Sequence, residues 1–303
     1  MIDELKKTCE LEENFDLKKY NTLRLNSTCK VILFPNNVQE IKKVLNILKK
    51  YKSKYFIIGN GSNIILPSFY DGVVIKLSKL TNYKIEKNNV FVEAGCMINK
   101  LASVLVEKGL AGLDFASGIP GTIGGSIYGN AGCFGSSISA SLVDVTIYDG
   151  NNIRTLKNEE LKFDYRYSIF KEHKNWIILS ANFNVNECNK EKLKELVLER
   201  TKKRVSSQDL KNPSNGSMFK NPEGYSAGKL IDDLGLKGFC VNDAMVSLKH
   251  ANFIINKGNA TCEDILKLVD IIKQKVKEEY NIDLKMEQEI IKWLISLFYL
   301  FML

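Results

Sequence analysis

Apolar positions in the first third of the chain switch between two periods. In residues 39–50, QEIKKVLNILKK, Ile41, Val44, Leu45 and Leu48 recur at helical spacing and share one face. KYFIIG then reads as a short buried strand, NGSN as a turn, and GVVIKL and VFVEAG as two more strands. INKLASVLVEKG returns to helical spacing, with Ile98, Leu101, Ala102 and Leu105 inward and Gly109 placed to end the helix. After residue 135 the pattern changes. LVDVTIYDGNNIRTL predicts two strands joined at Asp149-Gly150, and WIILSANFNV one more strand. NKEKLKELVLERTKKRV predicts a helix capped by Asn189.

Residues 206–224, SSQDLKNPSNGSMFKNPEG, carry two of the five prolines and read as a loop. SAGKLIDDLG follows as a short helix and HANFIIN as a strand. The long helix TCEDILKLVDIIKQKVKEEY has Thr261 and Asp264 at capping-box spacing. DLKMEQEII alternates as a last strand, which would turn Leu284, Met286 and Ile290 inward and Lys285, Glu287 and Glu289 outward. The fold class expected is α+β, with a boundary near residue 200 between a larger region and a smaller one.

Composition narrows the class. The chain has 303 residues, 45% hydrophobic and 26% charged, long enough for two or three domains and inconsistent with disorder. Seven scattered cysteines form no CxxC pair, and His173 and His250 lie far apart, so no metal site is expected and reduced thiols in a cytoplasm fit best. The net charge of +8 is diffuse; it suits phosphorylated small molecules better than nucleic acid, for which no dense aromatic–basic strip exists. The basic cluster Lys202, Lys203 and Arg204 could meet a diphosphate or form a solvated helix end. The run WLISLFYLFML at 293–303 falls short of the roughly 20 residues a membrane span needs. It is expected to be a docked terminal element.

Two glycine-rich stretches carry the candidate chemistry. One is GNGSN at 59–63. The other is SGIPGTIGGSIYGNAGCFG at 117–135, which holds seven of the chain's twenty glycines. Glycine lets backbone N–H groups approach a ligand closely, and clustered N–H donors make concave anion sites. Neither stretch is a GxGxxG or a GK[ST] phosphate loop, so each alone is a weak signal. Two loops about 60 residues apart could hold a pyrophosphate from both sides.

Five segments in order, IIGNGSNIIL, GIPGTIGGSIYGNAGCFG, FDYRYSIFK, NGSMFKNP and LKHANFIIN, resemble the UDP-N-acetylenolpyruvoylglucosamine reductases of peptidoglycan synthesis. The resemblance runs from about residue 21 to Ile291 and is to the shorter, type II form. It implies the FAD-binding fold of the vanillyl-alcohol-oxidase superfamily, divided into FAD-binding subdomains at 1–78 and 79–200. A substrate-binding domain at 201–291 and an atypical apolar tail at 292–303 complete the division. It also implies non-covalent FAD held by Gly59, Asn60, Gly61, Ser62, Asn63, Gly118, Ile119, Pro120, Gly121, Thr122, Gly124, Gly125, Ser126, Asn130 and Gly132, with NADPH as co-substrate. Neither glycine stretch contains a histidine for a covalent flavin link, which agrees.

The family reaction delivers a hydride to C3 of an enolpyruvyl ether and a proton to C2. The resemblance makes Ser217 the proton donor, Arg166 the grip on the substrate carboxylate and Glu287 the catalytic glutamate. Lys220, Asn221 and Tyr225 become substrate contacts, and His250 a structural residue. Met286 replaces a proline common in the family, and the residues after Ile291 depart from its usual ending. The expected partners are small molecules only, for a monomer. Alternatives are another FAD-dependent oxidoreductase acting on a small alcohol or hydroxy acid, or a non-catalytic nucleotide-binding protein.

Overall fold

The computed structural model describes residues 1–291. The tail expected to dock at 293–303 lies outside the described residues. Among them, no helix is long and apolar enough to cross a membrane.

The chain folds as two compact units, each assembled from three separated segments. The first comprises residues 1–12, 32–60 and 74–208; the second comprises 13–31, 61–73 and 209 onward. The boundary expected near 200 falls at 208/209, because helix Lys190–Ser207 runs on to that point. Segments 13–31 and 61–73, expected in the N-terminal region, belong to the second unit. Leu23, Leu25 and Ile65 are part of that unit's apolar core.

Strands Glu10–Asp16, Thr28–Phe34, Phe69–Lys76 and Tyr55–Ile58 hydrogen-bond in that order. In the first unit, a five-stranded antiparallel sheet has the order Ile153–Lys157, Leu142–Tyr148, Ile177–Asn184, Asn89–Glu93, Tyr83–Glu86. Strands of these two sheets come from either side of residue 78. Helix Val38–Lys50 buries Ile41, Val44, Leu45 and Leu48, the stripe its spacing predicts. Helix Ile98–Glu107 buries Ile98, Leu101, Ala102 and Leu105, and Gly109 follows it at φ +68°. The hairpin turn spans Asp149–Asn152: the Asp149 carboxylate accepts from the amides of Asn151 and Asn152. Helix Lys190–Ser207 begins where the Asn189 side chain accepts from the Lys192 amide at 2.9 Å.

In the second unit, strands Ser214–Ser217, Phe253–Asn256, Ala244–Val246 and Cys240–Val241 form an antiparallel sheet in that order. Helix Cys262–Tyr280 packs on it with Ile265, Leu268, Val269, Ile272 and Val276 buried, each stabilising by about 1.5–3 kcal/mol through removal from water. Its start is the predicted capping box of Thr261 and Asp264.

Two local expectations change. Residues 206–224 are not all loop, because Ser214–Ser217 pairs with Phe253–Asn256. Gly216 and two prolines hid this strand, whose partner lies far along the chain. DLKMEQEII is not a continuous alternating strand. Met286 makes an isolated bridge to Phe219, the chain bends at Gln288, and only Glu289–Ile290 form a strand, parallel to Ile64–Ile65. The bend interrupts the strand but leaves Gln288 buried on the side where alternation placed the apolar set.

Candidate active site

In the first unit the two glycine stretches meet. The Asn60 side-chain amide donates to the Pro120 carbonyl at 2.8 Å. A Cβ on Gly59 would lie 2.7 Å from Thr122 Oγ1. That hydroxyl caps helix Ile123–Tyr128 by accepting from the Gly125 amide at 3.2 Å. The amides of Ile123 and Gly124 donate to the carbonyls of Cys96 and Ala94, anchoring the start of this helix. A Cβ on Gly124 would come 3.1 Å from Ala94 Cβ, so glycine permits that approach. Of the residues assigned to FAD, Gly59, Asn60, Gly118–Thr122, Gly124–Ser126, Asn130 and Gly132 lie in this unit; Gly61, Ser62 and Asn63 lie in the other.

FAD fits what the first unit presents. Ser126 is 3% exposed and Asn130 7%, yet Ser126 Oγ and Asn130 Oδ1 have no hydrogen-bond partner among the described residues. Buried polar atoms without partners cost about 1–3 kcal/mol each, so a ligand offering donors and acceptors there would remove a penalty. The bare glycine backbone around them is suited to a diphosphate.

Arg166 lies outside the regular strands and helices. It sits in a two-residue turn between the bridged pair Asp164 and Tyr167, at φ +55°. The left-handed conformation costs an arginine on the order of 1 kcal/mol, and the glycine stretch holds it there. Arg166 Nη2 donates to the Gly132 carbonyl at 2.9 Å, the Asn130 side-chain amide donates to the Asp164 carbonyl at 2.9 Å, and Ser168 Oγ donates to the Tyr128 carbonyl at 2.7 Å. The guanidinium also lies over the Tyr165 ring, 5.3 Å from its centre. Of the cluster Lys202, Lys203 and Arg204, the lysines are solvent-exposed while Arg204 packs its guanidinium against Gly118. Burial pulls the Arg204 guanidinium below its ordinary range and pushes the neighbouring Cys133 thiol up.

The second unit brings Ser217 and Glu287 onto adjacent segments. The Lys220 amide donates to the Lys285 carbonyl, Phe219 bridges Met286, and the Glu287 amide donates to the Met218 carbonyl at 2.9 Å. Asn63 faces the same segment: its side chain donates to the Glu287 carbonyl at 3.2 Å and its carbonyl accepts from the Glu289 amide. Asn221 and Tyr225 are exposed, and Asn221 Oδ1 accepts from the Ala227 amide at the start of helix Ala227–Asp233. His250 Nδ1 accepts from the Asn252 amide, and burial lowers the imidazole's proton affinity.

Sequence pattern does not single out Lys76, which lies inside the buried strand GVVIKL. Its Nζ donates to the Gly59 carbonyl at 2.6 Å, and burial pushes the ammonium down to about 8. An apolar run with one lysine, one strand from a glycine loop, was the available signal. In flavin-free protein this burial predicts a pH effect. Between pH 8 and 10.5 the folded state releases the Lys76 proton while the unfolded state keeps it, so stability rises with pH. Comparing wild type with Lys76→Met by urea unfolding at pH 7.5 and 10, wild type should gain about 2 kcal/mol relative to the variant. A constant difference would show that Lys76 does not titrate in that range.

The chain matches known proteins over nearly its whole length. The FAD binding domain family matches residues 29–152, and the C-terminal domain family of UDP-N-acetylenolpyruvoylglucosamine reductase matches residues 208–291. A protein of that name from Caldanaerobacter subterraneus subsp. tengcongensis is 40% identical over 296 residues, 96% of this chain and 98% of its own. One from Clostridium novyi is 38% identical over 93% of this chain and 92% of its own. The crystal structure of UDP-N-acetylenolpyruvylglucosamine reductase from Thermus caldophilus superposes with a TM-score of 0.78 at 32% identity, covering 93% of this chain and 98% of that one. The α+β architecture, with its FAD binding domain and reductase C-terminal domain, is therefore shared along the sequence, and the chain belongs to the UDP-N-acetylenolpyruvoylglucosamine reductase family.

Proposed function

We infer that the chain reduces UDP-N-acetylglucosamine enolpyruvate to UDP-N-acetylmuramate for peptidoglycan synthesis, with NADPH as reductant and FAD bound non-covalently. The observation that carries this is the agreement with the reductase family across 96% of the chain, both domains included. The C-terminal family match stands against the alcohol-oxidase alternative.

Bound FAD would accept hydride from NADPH and pass it to C3 of the enolpyruvyl ether. The protein's task is then to manage the charge that develops at C2 and its carboxylate. Arg166 is assigned to the carboxylate, since a guanidinium offers paired donors and stays charged. The fixed turn around Arg166 supports this, because a rigid donor needs no reorganisation during reaction. Ser217 is assigned as the acid: its O–H bond breaks, the proton forms the C2–H bond, and solvent restores the hydroxyl. A hydroxyl is weakly acidic, but the carbanion-like acceptor is strongly basic. Glu287, half-buried beside this strand, is assigned as a carboxyl partner for the enolate oxygens. Lys220, Asn221 and Tyr225 are assigned to the remaining substrate, with Asn221 restrained by its bond to the Ala227 amide. Gly61, Ser62 and Asn63 complete the FAD assignment. A cytoplasmic monomer without nucleic-acid partners fits seven free thiols and a diffuse net charge of +8.

The purified protein should be yellow, release FAD in acid, and bleach anaerobically with NADPH. Colour should return on addition of the enolpyruvyl substrate. Protein that bleaches but stays bleached with that substrate, and recolours with another acceptor, would overturn the substrate assignment.

A further inference from the structure

The strand that carries Ser217 is irregular where it matters. Between Ser214 and Ser217 the register with Phe253–Asn256 shifts, so only Ser214 and Ser217 stand opposite partners, Ile255 and Phe253. Gly216 lies in the gap at φ +80°, with open space where a Cβ would be. Such a bulge is the part of a sheet least held by its ladder. Beyond Ser217 the chain is tied down at once: the Met218 amide donates to the Asn252 carbonyl at 2.7 Å, and the Asn252 side chain accepts from the Phe219 amide at 2.9 Å and donates to the Phe219 carbonyl at 2.8 Å. Before Ser217, Asn215 donates to the Ile64 carbonyl at 3.3 Å.

Gln288 closes the remaining gap. It is 6% exposed, on the inward side it shares with Leu284 and Met286, at a bend in the chain. Its Nε2 donates to the Ser217 carbonyl and, at 3.5 Å, to the Asn215 carbonyl. Both neighbours are acceptors, which fixes the amide's orientation. Gln288 Oε1 and Asn215 Oδ1 are then left buried, without donors among the described residues. A buried amide that keeps an unpartnered oxygen costs stability. Leucine or valine would avoid that orphaned oxygen but would take the donor from the Ser217 and Asn215 carbonyls, so what this side chain supplies is its tie to the strand.

We propose that Gln288 is a positioning residue for the proton-transfer step: its side-chain amide clamps the bulged main chain at Asn215 and Ser217 and so sets the direction of the Ser217 hydroxyl. This rests on the assignment of Ser217 as proton donor. A misplacement of about 1 Å at a reacting group can cost on the order of 100-fold in rate. Glu287, whose amide is held by Met218, is tied to the same stretch of strand.

The test uses full-length flavoprotein with Gln288→Met, which keeps length and loses the donor, and Gln288→Glu, which keeps shape and exchanges the donor for a titratable oxygen. Stopped-flow separates NADPH bleaching from recolouring by the enolpyruvyl substrate. Bleaching should stay within about twofold of wild type in both variants. Recolouring should slow by roughly 10- to 100-fold in Gln288→Met at every pH. In Gln288→Glu it should be slow at pH 8 and recover as pH falls and the carboxyl becomes protonated, since only the protonated acid can donate to a carbonyl. Hydrogen exchange at residues 214–218 should quicken in Gln288→Met while the thermal midpoint moves little. Wild-type recolouring in both variants, or equal loss of both half-reactions, overturns the clamp. Wild-type protein that never recolours with the substrate would sink the functional assignment instead.

Discussion

Replacing Ser217 by alanine should leave anaerobic bleaching by NADPH at the wild-type rate and slow recolouring by the enolpyruvyl substrate by about 100- to 10,000-fold. That range is what a positioned general acid contributes. The effect should fall on the second half-reaction alone, because hydride transfer from NADPH calls for no proton at C2. The residue can be changed with little damage to the fold. Ser217 is half-buried, and its main chain would keep the bond from Gln288. Stopped-flow traces of the two half-reactions decide the matter, and equal slowing of both would remove Ser217 from the acid role.

The largest expected effect on stability is at Gly61. This residue has φ +63°, and a Cβ there would come within 2.0 Å of the Tyr20 carbonyl oxygen and 2.8 Å of Asn21 Cα. Its own carbonyl accepts from the Thr22 amide at 3.2 Å, so the two segments cannot separate freely. Alanine would add a left-handed backbone cost of about 1–2 kcal/mol and an overpacking cost of about 1–3 kcal/mol. Gly61→Ala should therefore lower the unfolding free energy by roughly 2–5 kcal/mol. Gly235, at φ +66° with nothing within 4 Å of where a Cβ would stand, supplies the contrast. Gly235→Ala should cost only the backbone share, about 1–2 kcal/mol. Similar losses in the two variants, read by urea unfolding, would show that the contact with Tyr20 yields easily.

Helices were legible because their signals are local. Four apolar residues at helical spacing marked Val38–Lys50, and Thr261 with Asp264 marked the start of Cys262–Tyr280 before any contact was known. Strands depended on their partners. Ser214–Ser217 looked like loop, since a bulged strand with a glycine has no period of its own. DLKMEQEII looked like a strand, since alternation over nine residues gives no hint of a bend at Gln288. The site shows the same division. Ser217, Arg166 and the glycine stretches stood out by motif. Lys76 and Gln288 did not, because each acts on a main-chain carbonyl that is remote in sequence or in another segment.

Composition and local pattern alone therefore determined the α+β class, the helix ends and the two glycine-rich stretches, because propensity, capping and backbone freedom act over a few residues. Tertiary structure decided that residues 13–31 and 61–73 join the C-terminal unit, that Arg166 sits in a strained turn, and that Glu287 lies along the Ser217 strand. Those outcomes depend on which distant carbonyls and apolar faces come together, and each such pairing gains free energy only once the whole unit has folded.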